Sequence, residues 1–227
     1  MNRRLRTLAF FALGSGLWAW SPRFHEVQAR LARRMVPKAM NRFLVAHEAA
    51  LLEGARGVAS DQIPTVEEVE AQFHHILSLS EAHKPAPALV RELGILAKQV
   101  QLLTDPSATE GVTPFRATFE TYGDEHLKEL VLSREPAWAV EGPLDPKPRL
   151  LAMTETKYAR HRSLVPSVDA QTGRRLGVWD RLSIPYGQLQ LSFSTGVNAT
   201  ANLYILLWRA AGDLWTPAEG PSPQTRE

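Results

Sequence analysis

Apolar side chains recur along this chain at spacings of three and four residues, the period of one face of an α-helix. Phe24, Val27, Leu31 and Met35 predict a first helix that Pro37 ends. Met40, Phe43, Leu44, His47, Leu51 and Gly54 predict a second, closed by Gly54 and Gly57. After a turn at Asp61 to Pro64, Val66, Val69, Phe73, Ile76 and Leu77 predict a third, acid-rich on its outer face. The strongest stripe, Leu89, Leu93, Leu96, Val100 and Leu103, stops at Pro106, and Phe115, Phe119, Tyr122, His126, Leu127 and Leu130 suggest a fifth helix. Residues 134–148 hold four prolines and predict a loop. A shorter helix follows over about 149–162, then an irregular stretch to 182 and a last helical region at about 184–211, with a break expected near Gly196. No repeat and no strand-like alternation is present, so the expected fold class is all-α, a compact multi-helix bundle.

The first 19 residues differ in kind. Arg3, Arg4 and Arg6 precede the apolar run Thr7 to Ala19, the layout of a secretory signal. That run is shorter than the roughly 20 residues a membrane span needs. The expectation is a signal peptide over 1–19 cut after Ala19, giving a secreted or periplasmic protein. The alternative is an N-terminal membrane anchor. A helical domain is expected over 20–215 and a flexible tail over 216–227, with no transmembrane span after the leader. Oligomeric state is left open by the sequence.

Composition narrows the chemistry. The 227 residues contain no cysteine, which excludes disulfides, thiolate metal sites and cysteine nucleophiles. The formal charge is +2, from 26 Lys and Arg against 24 Asp and Glu; without Arg3, Arg4 and Arg6 the balance is 23 against 24. A near-neutral body carries no bulk signal for nucleic acid.

The candidate chemistry starts at Trp20-Ser-Pro-Arg-Phe-His25. A mature chain opening on Trp20 would offer its α-amine and carbonyl oxygen to a metal, with His25 adding an imidazole, a donor set that suits zinc. This opening resembles that of the zinc-dependent phospholipase C and single-strand-specific nuclease superfamily, exported all-α proteins that carry three zinc ions in a cleft. The resemblance implies further ligands at Asp61, at His75 (with His74 as its alternative) and at Glu120. It also implies a helix motif of His, Asp and His. Here the frame Leu93-Gly94, Val100-Gln101 and Thr104-Asp105-Pro106 is kept, but Lys98, Leu102 and Ala108 stand at the ligand positions, and Arg116 replaces the His before Glu120. Five expected ligand positions are therefore filled by Trp20, His25, Asp61, His75 and Glu120, and four are replaced.

Leu102 cannot bridge two metals. Lys98 and Arg116 bring positive charge to carboxylates that lack their metal, so the expectation is a pairing of Lys98 with Asp61 and of Arg116 with Glu120 at i, i+4. Zero or one zinc is then expected rather than three. Two functions follow. One is a non-catalytic descendant, a pseudoenzyme that binds an anionic small molecule or phosphate ester in the old cleft through Lys98 and Arg116. The other is an active, divergent phosphoesterase with a reduced zinc site.

Other features read more simply. Adjacent His74 and His75 diverge by about 100° on a helix, so at most one faces the core. His47 reads as a core histidine, and His83, His126 and His161 as surface residues. Glu67, Glu68 and Glu70 read as a solvated face, and Arg160-His161-Arg162 as surface before anion site. Asn198-Ala199-Thr200 matches a glycosylation sequon inside a predicted helix.

Overall fold

The computed structural model describes residues 21–57, 63–109 and 113–212, apart from 136, 138, 140, 141 and 170. The predicted leader, Trp20, Asp61 and the tail beyond 212 lie outside the described residues. The described chain is all-α: α1 (Pro22–Arg33), α2 (Lys38–Ala46), α3 (Glu48–Arg56), α4 (Val66–Glu81), α5 (Ala86–Thr104), α6 (Pro114–His126), α7 (Lys147–Leu164) and α8 (Ile184–Ala211). A 3-10 turn, Val165–Ser167, and one isolated antiparallel bridge, Val168 to Arg175, lie between α7 and α8. None of the described helices is long and apolar enough to cross a membrane.

Two helices form the centre. α5 packs on α1, α3, α4, α7 and α8, and α8 packs on α1, α4, α5 and α7. Their apolar stripes supply Leu89, Leu93, Leu96, Val100, Leu103, Leu189, Phe193, Leu203 and Leu206 to a single core, with Phe24, Leu51, Phe73 and Ile76 from the outer helices. Each such side chain contributes roughly 1.5–3 kcal/mol by leaving water. Tyr204 of α8 is fully buried and donates its hydroxyl to the Leu93 carbonyl at 3.0 Å; burial raises its phenol above the ordinary value.

Three sequence expectations change. The second predicted helix is two. His47, at φ −122°, ψ 28°, closes α2 and opens α3, and its ring stands edge-on to Phe43 at 5.4 Å. It is half-buried, at a corner rather than in the core. Glu48, just past the corner, accepts from Arg30 Nε at 2.9 Å and Arg33 Nη2 at 3.3 Å, which fixes α3 against α1.

Gly54 does not end a helix; it lies inside α3, against Gly94 of α5. A Cβ on Gly54 would overlap the Arg91 carbonyl oxygen and reach 2.9 Å from the Ile95 nitrogen. Gly57, at φ +58°, is the residue that ends α3. Nor does Gly196 break α8, which runs unbroken for 28 residues. Its missing side chain instead admits neighbours: a Cβ there would stand 2.8 Å from Gln28 Nε2 and 3.2 Å from Thr104 Oγ1.

The Arg30 hydrogen bond holds the Glu48 carboxyl below its ordinary value. A lowered carboxylate stabilises the fold above the ordinary range and ceases to do so as pH falls through the folded value. Glu48→Gln is therefore expected to cost about 1 kcal/mol or less at neutral pH. The cost should vanish in acid, as read by urea unfolding at two pH values.

Candidate functional site

The site grows from the first turn of α1. Ser21 caps that helix, accepting from the Phe24 amide at 3.3 Å, and donates its hydroxyl to Asp124 Oδ1 of α6 at 2.6 Å. Burial raises the Asp124 carboxyl, and the Ser21 bond opposes it. One turn on, His25 faces the interior, its Nδ1 at 2.6 Å from Gln101 Oε1 of α5. An amide oxygen only accepts, so that nitrogen carries the proton. Gln28 Nε2 donates to the Phe193 carbonyl at 3.2 Å in the space beside Gly196.

A second buried cluster lies where α5 ends. Asp105 Oδ1 accepts from the Ser107 amide and hydroxyl, both at 2.8 Å. On α6, Arg116 Nε donates to Glu120 Oε1 at 2.7 Å, with the two side chains 1% and 7% exposed. On α7, buried Lys157 donates its Nζ to the Ala108 carbonyl at 3.0 Å. Burial lowers the Lys157 ammonium, Asp105 opposes this and Arg116 reinforces it. The formal charges of Asp105, Arg116, Glu120 and Lys157 sum to zero, which is the condition under which buried charge is tolerated. His161 closes the turn, its Nδ1 2.8 Å from the Pro106 carbonyl and its ring edge-on to Phe115 at 5.3 Å. Expected at the surface, it is half-buried and fixes residues 105–109.

The residues singled out from the sequence separate. His25, Glu120 and Arg116 are buried, as are Leu102 and Ala108 at replaced ligand positions. Arg116 meets Glu120 across one helical turn, the i, i+4 pairing expected. Lys98 donates to the Arg56 carbonyl at 3.2 Å, at the C-terminal end of α3. This is the favourable place for a cation near a helix's last carbonyls. Its expected partner Asp61 lies outside the described residues, as does Trp20. His75 and its alternative His74 are both exposed on α4, whose main contacts are with α5, α7 and α8. The structure therefore does not bring either to His25.

Sequence reasoning missed Asp105 and Lys157. A signal for Lys157 existed: α7 buries Leu150, Lys157 and Leu164 at steps of seven, so the lysine occupies a core position.

It also missed a ladder of polar side chains on α8. Gln190, Ser194, Asn198 and Asn202, four residues apart, hold the backbone amides of Val131, Ser133, Glu135 and Ala139. Gln190 Oε1 accepts from the Val131 amide at 2.9 Å, Ser194 Oγ from Ser133 at 3.1 Å, Asn198 Oδ1 from Glu135 at 3.1 Å and Asn202 Oδ1 from Ala139 at 3.0 Å. Asn198 Nδ2 also donates to the Ser133 and Ser194 carbonyls, each at 2.8 Å. A buried amide so engaged is no glycan acceptor. Asn198→Ala is expected to cost about 2–3 kcal/mol through the groups it leaves unpaired. The same change should speed hydrogen exchange at the Glu135 amide.

Among the described residues no three His, Asp or Glu side chains gather around a common point. Glu120 is held by Arg116, Leu102 presents hydrocarbon, and the two candidate histidines of α4 face outward. A groove of about 240 Å³ opens between α7 and α8, lined by Arg149, Thr156, Arg160 and Thr195 with Glu135 at its side. There Arg160 Nη2 donates to Thr195 Oγ1 at 3.0 Å. No family model, curated protein or solved structure matches this chain.

Proposed function

We propose that the chain is a degenerate, non-catalytic domain of the zinc phospholipase C and nuclease type, in which fixed side-chain charges stand where such proteins hold metal, and that it binds an anionic small molecule. The observation that carries this reading is the buried Arg116–Glu120 bridge of 2.7 Å. Position 116 is where the resemblance implies a histidine, and position 120 a ligand carboxylate. A guanidinium there supplies the positive charge that makes a buried carboxylate tolerable.

Arg116 is turned inward onto Glu120 and Lys98 is half-buried at the end of α3, and the contact proposed for the ligand is the α7–α8 groove. Arg149 and Arg160 offer guanidinium forks suited to phosphate or carboxylate. A volume of about 240 Å³ suits a small phosphate ester. The second reading, an active phosphoesterase on a reduced zinc site, draws support from the kept opening, where His25 is buried one turn into α1.

Hydrolysis of a chromogenic phosphodiester by the chain separates the two. The proposal expects no hydrolysis that a chelator removes. Hydrolysis lost both with chelator and in His25→Ala would establish the phosphoesterase instead.

A further inference from the structure

α7 carries two rows of side chains at steps of seven residues. One row, Leu150, Lys157 and Leu164, is buried. The other, Leu151, Tyr158 and Val165, stands one residue on, about 100° round the helix. It is left in water: Leu151 is 47% exposed, Tyr158 45% and Val165 45%. Helical backbone continues through Val165, at φ −46° and ψ −43°, so all three share one face. The helix that presents them is fixed in place. Lys147 Nζ donates to Glu70 Oε2 at 3.0 Å, Lys157 Nζ to the Ala108 carbonyl at 3.0 Å, and His161 Nδ1 lies 2.8 Å from the Pro106 carbonyl. The Lys157 ammonium lies 5.3 Å from the Tyr158 ring. The face is therefore preformed, and little ordering remains to be done on contact.

Charges beside the row say what covers it. Glu155 and Arg162 are exposed on the same side of α7. Neither forms an ion pair among the described residues. Their order is self-complementary. Leu151 stands seven residues before Tyr158 and Val165 seven after, while Glu155 stands three before and Arg162 four after. Turned end for end about Tyr158, a second such row lays Val165 on Leu151 and Arg162 beside Glu155. The same contacts recur across the axis, as an isologous dimer requires. Parallel pairing would instead set Glu155 on Glu155 and Arg162 on Arg162. We infer that α7 pairs antiparallel with α7 of a second copy of this chain, with Tyr158 at the twofold axis and two Glu155–Arg162 ion pairs flanking the apolar row. Steps of seven keep such a row facing its partner along a helix pair. This surface is separate from the proposed ligand groove, since Arg160 stands nine residues from Leu151, about 180° round the helix.

The test is sedimentation equilibrium of the full chain over a wide range of concentration, with charge-reversed variants beside it. The full chain is expected to pass from monomer to dimer as concentration rises. Glu155→Arg alone, or Arg162→Glu alone, sets like charges against each other on both sides of the axis and is expected to weaken association about tenfold or more. A mixture of these two variants restores both ion pairs across a heterodimer, so it should associate as the unaltered chain does. So should the double variant, Glu155→Arg with Arg162→Glu. Both side chains are exposed, so the unfolding midpoint of the dilute monomer should stay where it was. A chain that remains monomeric at every concentration would overturn the inference, as would a dimer that either single reversal leaves intact. Failure of the two single variants to associate with each other would overturn it too, because the charges would then not meet across the axis. None of these outcomes touches the Arg116–Glu120 bridge.

Discussion

Replacing Gly94 with alanine is expected to lower stability by about 3 kcal/mol, at the upper end for overpacking in a core. A Cβ at Gly94 would overlap the Leu51 carbonyl oxygen and stand 2.7 Å from the Ala55 nitrogen and 2.9 Å from Gly54 Cα. All three are backbone atoms, so no side-chain rotation relieves the contact; α3 must move off α5. Gly54 is the reciprocal half of the same crossing, so Gly54→Ala should cost a similar amount. The two losses should not add, because the first already separates the helices. Urea unfolding of the two single variants and the double variant reads all three values. A single-variant loss near zero would mean that the two glycines do not set the distance between α3 and α5.

Arg116→Met is the second large effect. It leaves Glu120 buried without its cation, and breaking a buried pair from one side costs about 3–5 kcal/mol. Replacing both residues, as Arg116→Met with Glu120→Leu, removes the stranded charge and should recover much of the loss. Equal losses in the single and double variants would show that the pair is packing alone.

Much of the fold was readable because its signals are local. The stripe from Leu89 to Leu103 needs only helical period, and Pro37 and Pro106 mark ends that no partner has to confirm. The Arg116–Glu120 pair was readable for the same reason, since i, i+4 neighbours on a helix meet whatever surrounds them. What escaped depends on distant contacts. His47 fits the apolar stripe, and the Arg30 and Arg33 contacts to Glu48 that accompany the turn there come from another helix. Gly54 reads as a terminator until Gly94 is seen opposite it. Lys98 also donates to a backbone carbonyl at the end of α3, a contact that has no residue signature. The polar ladder on α8 looked like an ordinary run of Gln, Ser and Asn because its partners are the amides of a loop some sixty positions earlier.

The central claim is that a protein-supplied cation has taken over at Glu120 the task that bound metal performs in the proteins the opening resembles. The most direct measurement is zinc titration of the chain beginning at Trp20, with the thermal unfolding midpoint followed in the same samples with and without chelator. The account predicts no more than one zinc per chain and a midpoint that chelator leaves where it was. Three tightly bound zinc ions, with a midpoint that drops when they are removed, would contradict it.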